Sequence, residues 1–309
     1  MSIDDAIDKA CSSVGINPPK RREYGKWLQT DTLSGKNGKG DGRLIINETH
    51  VTAHNWQTGE NVTVGIGGDV EKRDRQKIAK QIEFSKRKQE ADARRAAQIA
   101  DALVGAARVG CHPYLAAKGF RDEKAMVVSV ADVRRIGGDY LVPEPGCVSA
   151  IVIPARIGGK VTSSQLIWEN GVKKFLFGGT TAGASHRLCA GVDTWLCEGF
   201  ATALTVRTAL HGIKIKPTVL VCFSASNIAA IADRLENRVF IAAENDKPLP
   251  QFNGLGASEF YARKTSLPYA MPPEVGTDFN DLHQQKSIFA VQRALTALMA
   301  NATRQKGAS

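Results

Sequence analysis

Three acidic side chains follow two short apolar runs in the C-terminal half of the chain. Glu198 comes directly after Thr194–Cys197, and Glu244 and Asp246 come directly after residues 239–243. Nearly continuous apolar runs that alternate with helical stretches are typical of a parallel α/β sheet. Ligands of such sheets gather at the carboxyl ends of the strands, so we expect these acids to meet at one edge of a sheet.

Carboxylates that meet at one edge repel one another unless a cation lies between them. Oxygen ligands without nearby His or Cys pairs favour Mg²⁺ or Mn²⁺ over zinc. The six cysteines form no CxxC pair, so no zinc site is expected. The sequence therefore predicts a Mg²⁺ or Mn²⁺ site, with the alternative that each acid only caps the helix that follows it.

The rest of the sequence divides by composition into segments that must position these acids. The predicted fold class is α/β, with a parallel sheet flanked by helices, preceded by a β-rich subdomain and a long helical linker. Good helix formers rich in Lys and Arg indicate the linker. The predicted segments are a small β-rich module at 1–70, a basic helical linker at 71–110, a β-rich part at 111–187, the α/β domain at 188–285, and a C-terminal helix and tail at 286–309.

Net charge and the distribution of apolar residues indicate which classes of binding partner to expect. The 309 residues carry a net charge of +10, which favours a polyanion such as nucleic acid, nucleotide or anionic membrane. The N-terminus resembles no secretory signal, and no apolar run approaches the ~18 residues of a membrane-spanning helix, so we expect a cytoplasmic protein without a membrane partner. The Gly- and Lys-rich stretch at 34–43 does not satisfy GxxxxGK[ST] and is interpreted as a solvated turn, not a P-loop.

The acid-bearing segments resemble the Toprim fold of bacterial primases, topoisomerases and some nucleases. The resemblance rests on CEGFATALTV, an apolar strand ending in FSASN, and another ending in AAEND. In that family the first strand ends in Glu-Gly and the third in Asp-x-Asp; here Glu244 stands in place of the first Asp. The later phrase DFNDLH supplies Asp278 and Asp281, which resemble the acidic tail of the family and are candidate additional metal acids or caps of a turn.

The resemblance extends upstream and favours one kind of Toprim protein. HPYLAAKGF is similar to the YLxxRG segment of DnaG-related primases, and the stretch from IVIPARIGG to KKFLFGG is similar to the β-rich part of phage and plasmid primases. This implies that 111–187 is the N-terminal part of a primase core. It further implies nucleic-acid or nucleotide binding by basic residues near the site: Lys118, Arg156, Lys173, Lys174 and Arg187.

The function implied by the resemblance is that of a phage- or plasmid-type DNA primase, a metal-dependent nucleotidyltransferase. In this hypothesis Glu244 and Asp246 hold Mg²⁺ or Mn²⁺, and Glu198 ligates the metal or assists proton transfer. Its partners would be a single-stranded DNA template, NTPs and a separate replicative helicase. Two alternatives remain open: a Toprim-type metal-dependent nuclease, and a non-catalytic adaptor that binds single-stranded DNA.

Overall fold

The structure is a computed structural model that describes residues 1–33, 40–67, 72–143 and 146–307. Most of the predicted solvated turn, residues 34–39, lies outside the described residues. The chain forms two compact units. The first contains Met1–Ala91 with Leu249–Gly254, and the second contains Asp92–Pro248 with Leu255–Ser309.

The first unit is a helix packed on an antiparallel sheet. Helix α1 (Ile3–Val14) begins with a capping box between Ser2 and Asp5, and its apolar face packs on the sheet. The sequence prediction of a β-rich module did not include this helix. The four strands lie in chain order in the sheet: β1 (Trp27–Thr30), β2 (Gly42–Ile46), β3 (His50–Asn55) and β4 (Asn61–Gly65).

A single long helix follows the first sheet. Helix α2 (Lys72–Ala106) has 35 residues and contains no proline, as its composition predicts. In the second unit, Ala96, Ala100 and Leu103 are buried and belong to that unit's core.

An antiparallel sheet opens the second unit. Its strands lie in chain order, and the helices α3 (Pro113–Ala117) and α4 (Val130–Gly137) connect them, followed by a 3₁₀ turn at Asp139–Leu141. The strands are β5 (Arg108–Gly110), β6 (Ala125–Ser129), β7 (Ser149–Ile157), β8 (Lys160–Trp168) and β9 (Lys173–Phe175). Strands β7 and β8 form a long hairpin whose buried residues include Trp168 and Ile153.

The second sheet of this unit is mainly parallel and carries the predicted acids. Its strands are β10 (His186–Cys189), β11 (Thr194–Cys197), β12 (Thr218–Val221), β13 (Val239–Ala242) and β14 (Tyr269–Ala270). Their order in the sheet is β10-β12-β11-β13-β14, and only β10 runs antiparallel to its neighbour. The accompanying helices are α5 (Phe200–Gly212), α6 (Ala225–Ala232), α7 (Ala257–Thr265), α8 (Phe279–Gln285) and α9 (Ile288–Gly307), with a 3₁₀ turn at Pro250–Phe252.

Both faces of the parallel sheet are buried, which explains the nearly continuous apolar runs. On one face Trp195 stacks on Phe240 of the neighbouring strand, with ring centroids 4.7 Å apart. On the other face Leu196 and Ile241 pack in a separate cluster. The predicted fold class, a parallel sheet flanked by helices after a β-rich part and a long helix, is therefore confirmed. In the described part of the chain, no helix is long and apolar enough to cross a membrane.

Candidate active site

The central strands bring the predicted acids together. Strands β11 and β13 are parallel neighbours, and Cys197 pairs with Ala242 at their carboxyl ends. Glu198 is the next residue after β11, and Glu244 comes two residues after β13. Their proximity follows from the sheet order, because the carboxyl ends of adjacent parallel strands meet at one edge.

Glu198 is held by two helix N-termini. The Ser258 hydroxyl, near the start of α7, donates to Oε2 of Glu198 at 3.2 Å, and the backbone N–H of Ala225, at the start of α6, also bonds this side chain. Burial and then the Asp246 carboxylate raise the pKa of Glu198 to about 7, while Ser258 and Lys173 act in the opposite direction. A carboxyl group with this pKa can accept or donate a proton near neutral pH.

Glu244 lies among the other acids. Its pKa is raised to about 8, mainly by burial and to a smaller extent by the negative charges of Glu198, Asp278 and Asp246. The positive charge of Lys173 acts in the opposite direction. Three other carboxyl groups therefore lie within electrostatic reach of Glu244 at this edge of the sheet. Such crowding disfavours the charged forms unless a cation is present.

Asp246 is held by the start of α7. The backbone N–H of Ser258 donates to its Oδ2 at 2.8 Å, so Ser258 contacts Asp246 through its backbone and Glu198 through its hydroxyl. Gly256 allows this approach: a Cβ there would lie 2.7 Å from the carbonyl oxygen and 2.8 Å from the Cβ of Asp246. Asp246 therefore does cap a helix, and the same contact fixes it beside Glu198.

Asp278 and Asp281 form a capping box at the N-terminus of α8. Oδ1 of Asp278 accepts from the Asp281 N–H at 2.9 Å, and Oδ2 of Asp281 accepts from the Asp278 N–H at 3.1 Å. The second oxygen of Asp278 accepts from the Thr202 hydroxyl at 3.1 Å. Asp278 also contributes to the raised pKa of Glu244, so it faces the acidic cluster, whereas the contacts of Asp281 are those of a cap.

A cavity of about 490 Å³ adjoins the acids. Glu244 and Asp278 line it together with two of the predicted basic residues, Lys118 and Lys173. Its other lining residues come from α3, the turn between β8 and β9, and the start of α5: Tyr114, Ala117, Glu169, Asn170, Gly171, Gly199, Ala201 and Thr202. The cavity thus combines carboxylates with amines, the pairing needed to bind a cation and a polyanion side by side.

The other three predicted basic residues are not among those that line this cavity. Lys174 follows Lys173 on β9, and successive side chains of a strand point to opposite faces. Arg156 lies near His186 and contributes, after burial, to lowering the pKa of that histidine to about 4. Arg187 is exposed on β10.

Sequence reasoning missed Ser258 and Thr202. Ser258 is only 3% exposed, and both side chains hydrogen-bond acids that lie 60 and 76 positions away in the chain. The only signal for Ser258 is the run of small residues at 256–258, which allows a close backbone approach.

The donor chemistry fits a divalent cation with few protein ligands. Within the described residues, no three His, Cys, Asp or Glu side chains are grouped as a ready-made metal cage. Mg²⁺ usually keeps several waters and takes only one or two carboxylates plus substrate phosphates. Burial and, after it, the charges of neighbouring carboxylates raise the pKa values of Glu198 and Glu244, and a bound cation would stabilise the charged forms against both effects.

Comparison with known proteins identifies the class of this region. Residues 193–288 match the Toprim domain family. This part of the chain is therefore a Toprim domain, which confirms the resemblance drawn from CEGFATALTV and AAEND.

Two solved structures are similar to part of this chain, with low sequence identity and low TM-scores. One is a complex of the bacteriophage T7 lagging-strand DNA polymerase with primase domains bound to an RNA/DNA hybrid and dTTP. It has 16% identity and a TM-score of 0.35, with 48% of this chain and 76% of that chain covered. The other is the primase fragment of the bacteriophage T7 primase–helicase protein. It has 15% identity and a TM-score of 0.37, with 49% of this chain and 64% of that chain covered.

Proposed function

We propose that this protein is a DNA primase that makes short oligonucleotide primers on single-stranded DNA in phage or plasmid replication. One observation carries the proposal: Glu198, Glu244 and Asp246 lie at the carboxyl edge of a Toprim-domain sheet, beside a cavity that also contains Lys118 and Lys173. In primer synthesis a 3′-OH attacks the α-phosphate of the next NTP and pyrophosphate leaves. Positioning and charge neutralisation dominate catalysis of phosphoryl transfer, and acids with amines supply both.

Each residue of the site has a proposed role that follows from the chemistry of its side chain. Lys118 and Lys173 bind triphosphate oxygens from the cavity wall. Glu198, whose pKa is about 7, accepts the proton of the attacking 3′-OH, and Ser258 fixes the direction of its carboxylate. Thr202 orients Asp278, and Asp281 holds the helix start that carries Asp278.

The proposed cofactor is Mg²⁺ or Mn²⁺. Glu244 and Asp246 would hold it, with Glu198 and Asp278 close by, and when bound it would neutralise charge on the phosphate oxygens. Lys174, Arg156 and Arg187 remain proposed contacts of the nucleic acid outside the cavity. The proposal also includes a cytoplasmic location and a separate replicative helicase as partner.

Primer synthesis by the full chain tests the proposal. The protein is incubated with a single-stranded template, labelled NTPs and Mg²⁺ or Mn²⁺, and the labelled oligonucleotides are separated by length. We expect Asp246→Asn to abolish synthesis, whereas Asp233→Asn, which alters an exposed acid of the same unit, retains it. The primase assignment fails if the wild type makes no oligonucleotide or if Asp246→Asn makes as much as the wild type.

The same assay separates the two alternatives. A Toprim nuclease would use the same acids to activate water, so it would cleave DNA with metal and without NTPs. A non-catalytic adaptor would bind single-stranded DNA, and neither synthesis nor cleavage would be seen.

A further inference from the structure

The sheet of the first unit has two unlike faces. One face packs on α1 and is apolar and buried, with Leu44, Ile46 and Val51 fully enclosed. The alternate residues of the four strands point the other way and are exposed or half-buried. This second surface, here called the open face, consists of Trp27, Gln29, Arg43, Ile45, His50, Thr52, His54, Asn61, Thr63 and Gly65.

Large aromatic rings are exposed on and beside the open face. Trp27 is 52% exposed, and Trp56, just after β3, is 47% exposed. The Trp56 ring meets His54 of the open face edge to face, with centroids 4.6 Å apart. Tryptophan is highly buried on average, so two rings presented to solvent on one sheet indicate a partner. An aromatic ring stacks on any nucleic-acid base.

The polar residues of the open face suit a polyanion. Arg43 lies next to His54 in register, and burial with the charge of Arg43 lowers the pKa of His54. None of the ten residues is acidic, whereas α1, on the other side of the sheet, carries Asp4, Asp5 and Asp8. Of the acids nearby, Asp41 accepts a hydrogen bond from Gln57, and Glu23 is paired with Lys26.

The spacing of Trp27 and Trp56 suits an extended single strand of nucleic acid. Trp27 on β1 lies in the same row as Thr52 on β3, two strand spacings away, or about 10 Å. Trp56 follows Thr52 by four residues, or about 14 Å along the strand direction. The backbone positions of the two tryptophans are therefore up to roughly 17 Å apart along a diagonal of the sheet, with Arg43 and His54 between them. Several nucleotides of a single strand can follow such a path.

We infer that the open face binds single-stranded DNA by stacking bases on Trp27 and Trp56, with Arg43 contacting the backbone. The inference deepens the proposed function, because it gives the template strand a docking surface in the first unit. It requires neither metal nor NTP, so it can be tested separately from primer synthesis.

Fluorescence anisotropy of labelled oligonucleotides tests this surface. The full chain is titrated against an oligothymidylate of about 12 nucleotides and against an abasic strand of the same length and charge, without metal or NTP. We expect Trp27→Ala/Trp56→Ala to weaken oligothymidylate binding at least about 25-fold, because each stack contributes a factor of about five or more. Binding of the abasic strand should change less than twofold.

Two variants control for general effects. Trp27→Phe/Trp56→Phe keeps an aromatic ring at both positions and should retain most of the affinity. Phe289→Ala removes another exposed ring, 66% exposed on α9, and should bind like the wild type.

Three results would overturn the inference. They are wild-type affinity in the double alanine variant, an equal loss on both oligonucleotides, and no preference of the wild type for bases over the abasic strand. The first of these is also the result expected if the open face binds a protein. A chain that fails to make primers but shows the expected pattern would refute only the primase proposal.

Discussion

Replacing Glu244 by Gln should stabilise the metal-free protein while it abolishes the proposed activity. The substitution keeps the shape of the side chain and removes a charge that burial, Glu198, Asp278 and Asp246 all disfavour. At pH 7 the rise of the pKa from 4.5 to about 8 means that folding must take up a proton. The free-energy cost is about 1.4 kcal/mol for each of the 2.5 pH units between 4.5 and 7, or about 3.5 kcal/mol. Because the glutamine amide must also leave water, we expect a net gain of about 1–3 kcal/mol.

The sign of the pH dependence gives a sharper test. A carboxyl whose pKa is raised on folding contributes its full stability below about pH 4.5, and the contribution is lost as pH rises to about 8. The advantage of Glu244→Gln over the wild type should therefore be small at pH 5 and grow towards pH 8. Subtracting the two curves cancels every other titrating group that the substitution leaves unchanged.

Urea unfolding in EDTA measures this difference. In a Trp27→Phe/Trp56→Phe background, fluorescence reports only Trp168 and Trp195, which are both fully buried in the second unit. Glu236→Gln, which alters an exposed acid of the same unit, is the control and should shift stability by less than about 0.5 kcal/mol. Excess Mn²⁺ should stabilise the wild type more than Glu244→Gln. The reasoning is refuted if Glu244→Gln is less stable than the wild type at pH 7 and 8, or if its advantage does not grow with pH.

Three further predictions concern the surroundings of the acids. Ser258→Ala removes the hydroxyl that bonds Glu198 but keeps the N–H that bonds Asp246, so calorimetry should show weaker Mn²⁺ binding, about two- to tenfold, with partial rescue by Ser258→Thr. Gly256→Ala forces a Cβ against Asp246 and should cost about 1–3 kcal/mol in urea unfolding, whereas Gly105→Ala, where a Cβ meets nothing within 4 Å, should cost nothing. Burial lowers the pKa of His186 to about 4, so between pH 6.5 and 4 this imidazole is protonated in the unfolded chain but neutral in the folded chain. Stability should fall by up to about 3 kcal/mol from pH 6.5 to 4, and His186→Leu should flatten this slope; an unchanged slope would contradict the burial of this ring.

Secondary structure was predicted best from sequence where the apolar pattern of a segment matches the faces that the segment buries. The runs Thr194–Cys197 and Val239–Ala242 are apolar because both faces of the strands are covered, and this pattern was sufficient to predict a parallel sheet. The helical stretches predicted between the apolar runs are present as α5 (Phe200–Gly212), α6 (Ala225–Ala232) and α7 (Ala257–Thr265). Helix α1 was missed although its capping box and the spacing of Ala6, Ile7 and Ala10 were visible.

The basic residues show where local pattern is insufficient. Lys118 and Lys173 line the cavity, but Lys174, the neighbour of Lys173, does not. The two lysines are equivalent in residue type and charge. They differ only because successive side chains of β9 point to opposite faces of the sheet that β9 forms with β8. The role of a surface cation depends on the direction of its side chain, which charge counts do not contain.

The sequence by itself determined that Glu198, Glu244 and Asp246 lie close together, because side chains directly after adjacent parallel strands meet at the carboxyl edge of the sheet. It also determined the Toprim resemblance, through the order of CEGFATA, AAEND and DFND. Only the tertiary structure decided which groups hold those acids: Ser258 reaches Glu198 across 60 residues, and Thr202 reaches Asp278 across 76. Likewise, only strand pairing places Trp27, Arg43 and His54 on one surface. Short-range spacing encodes strands and helices, whereas contacts between distant segments arise when those elements pack together to bury their apolar faces.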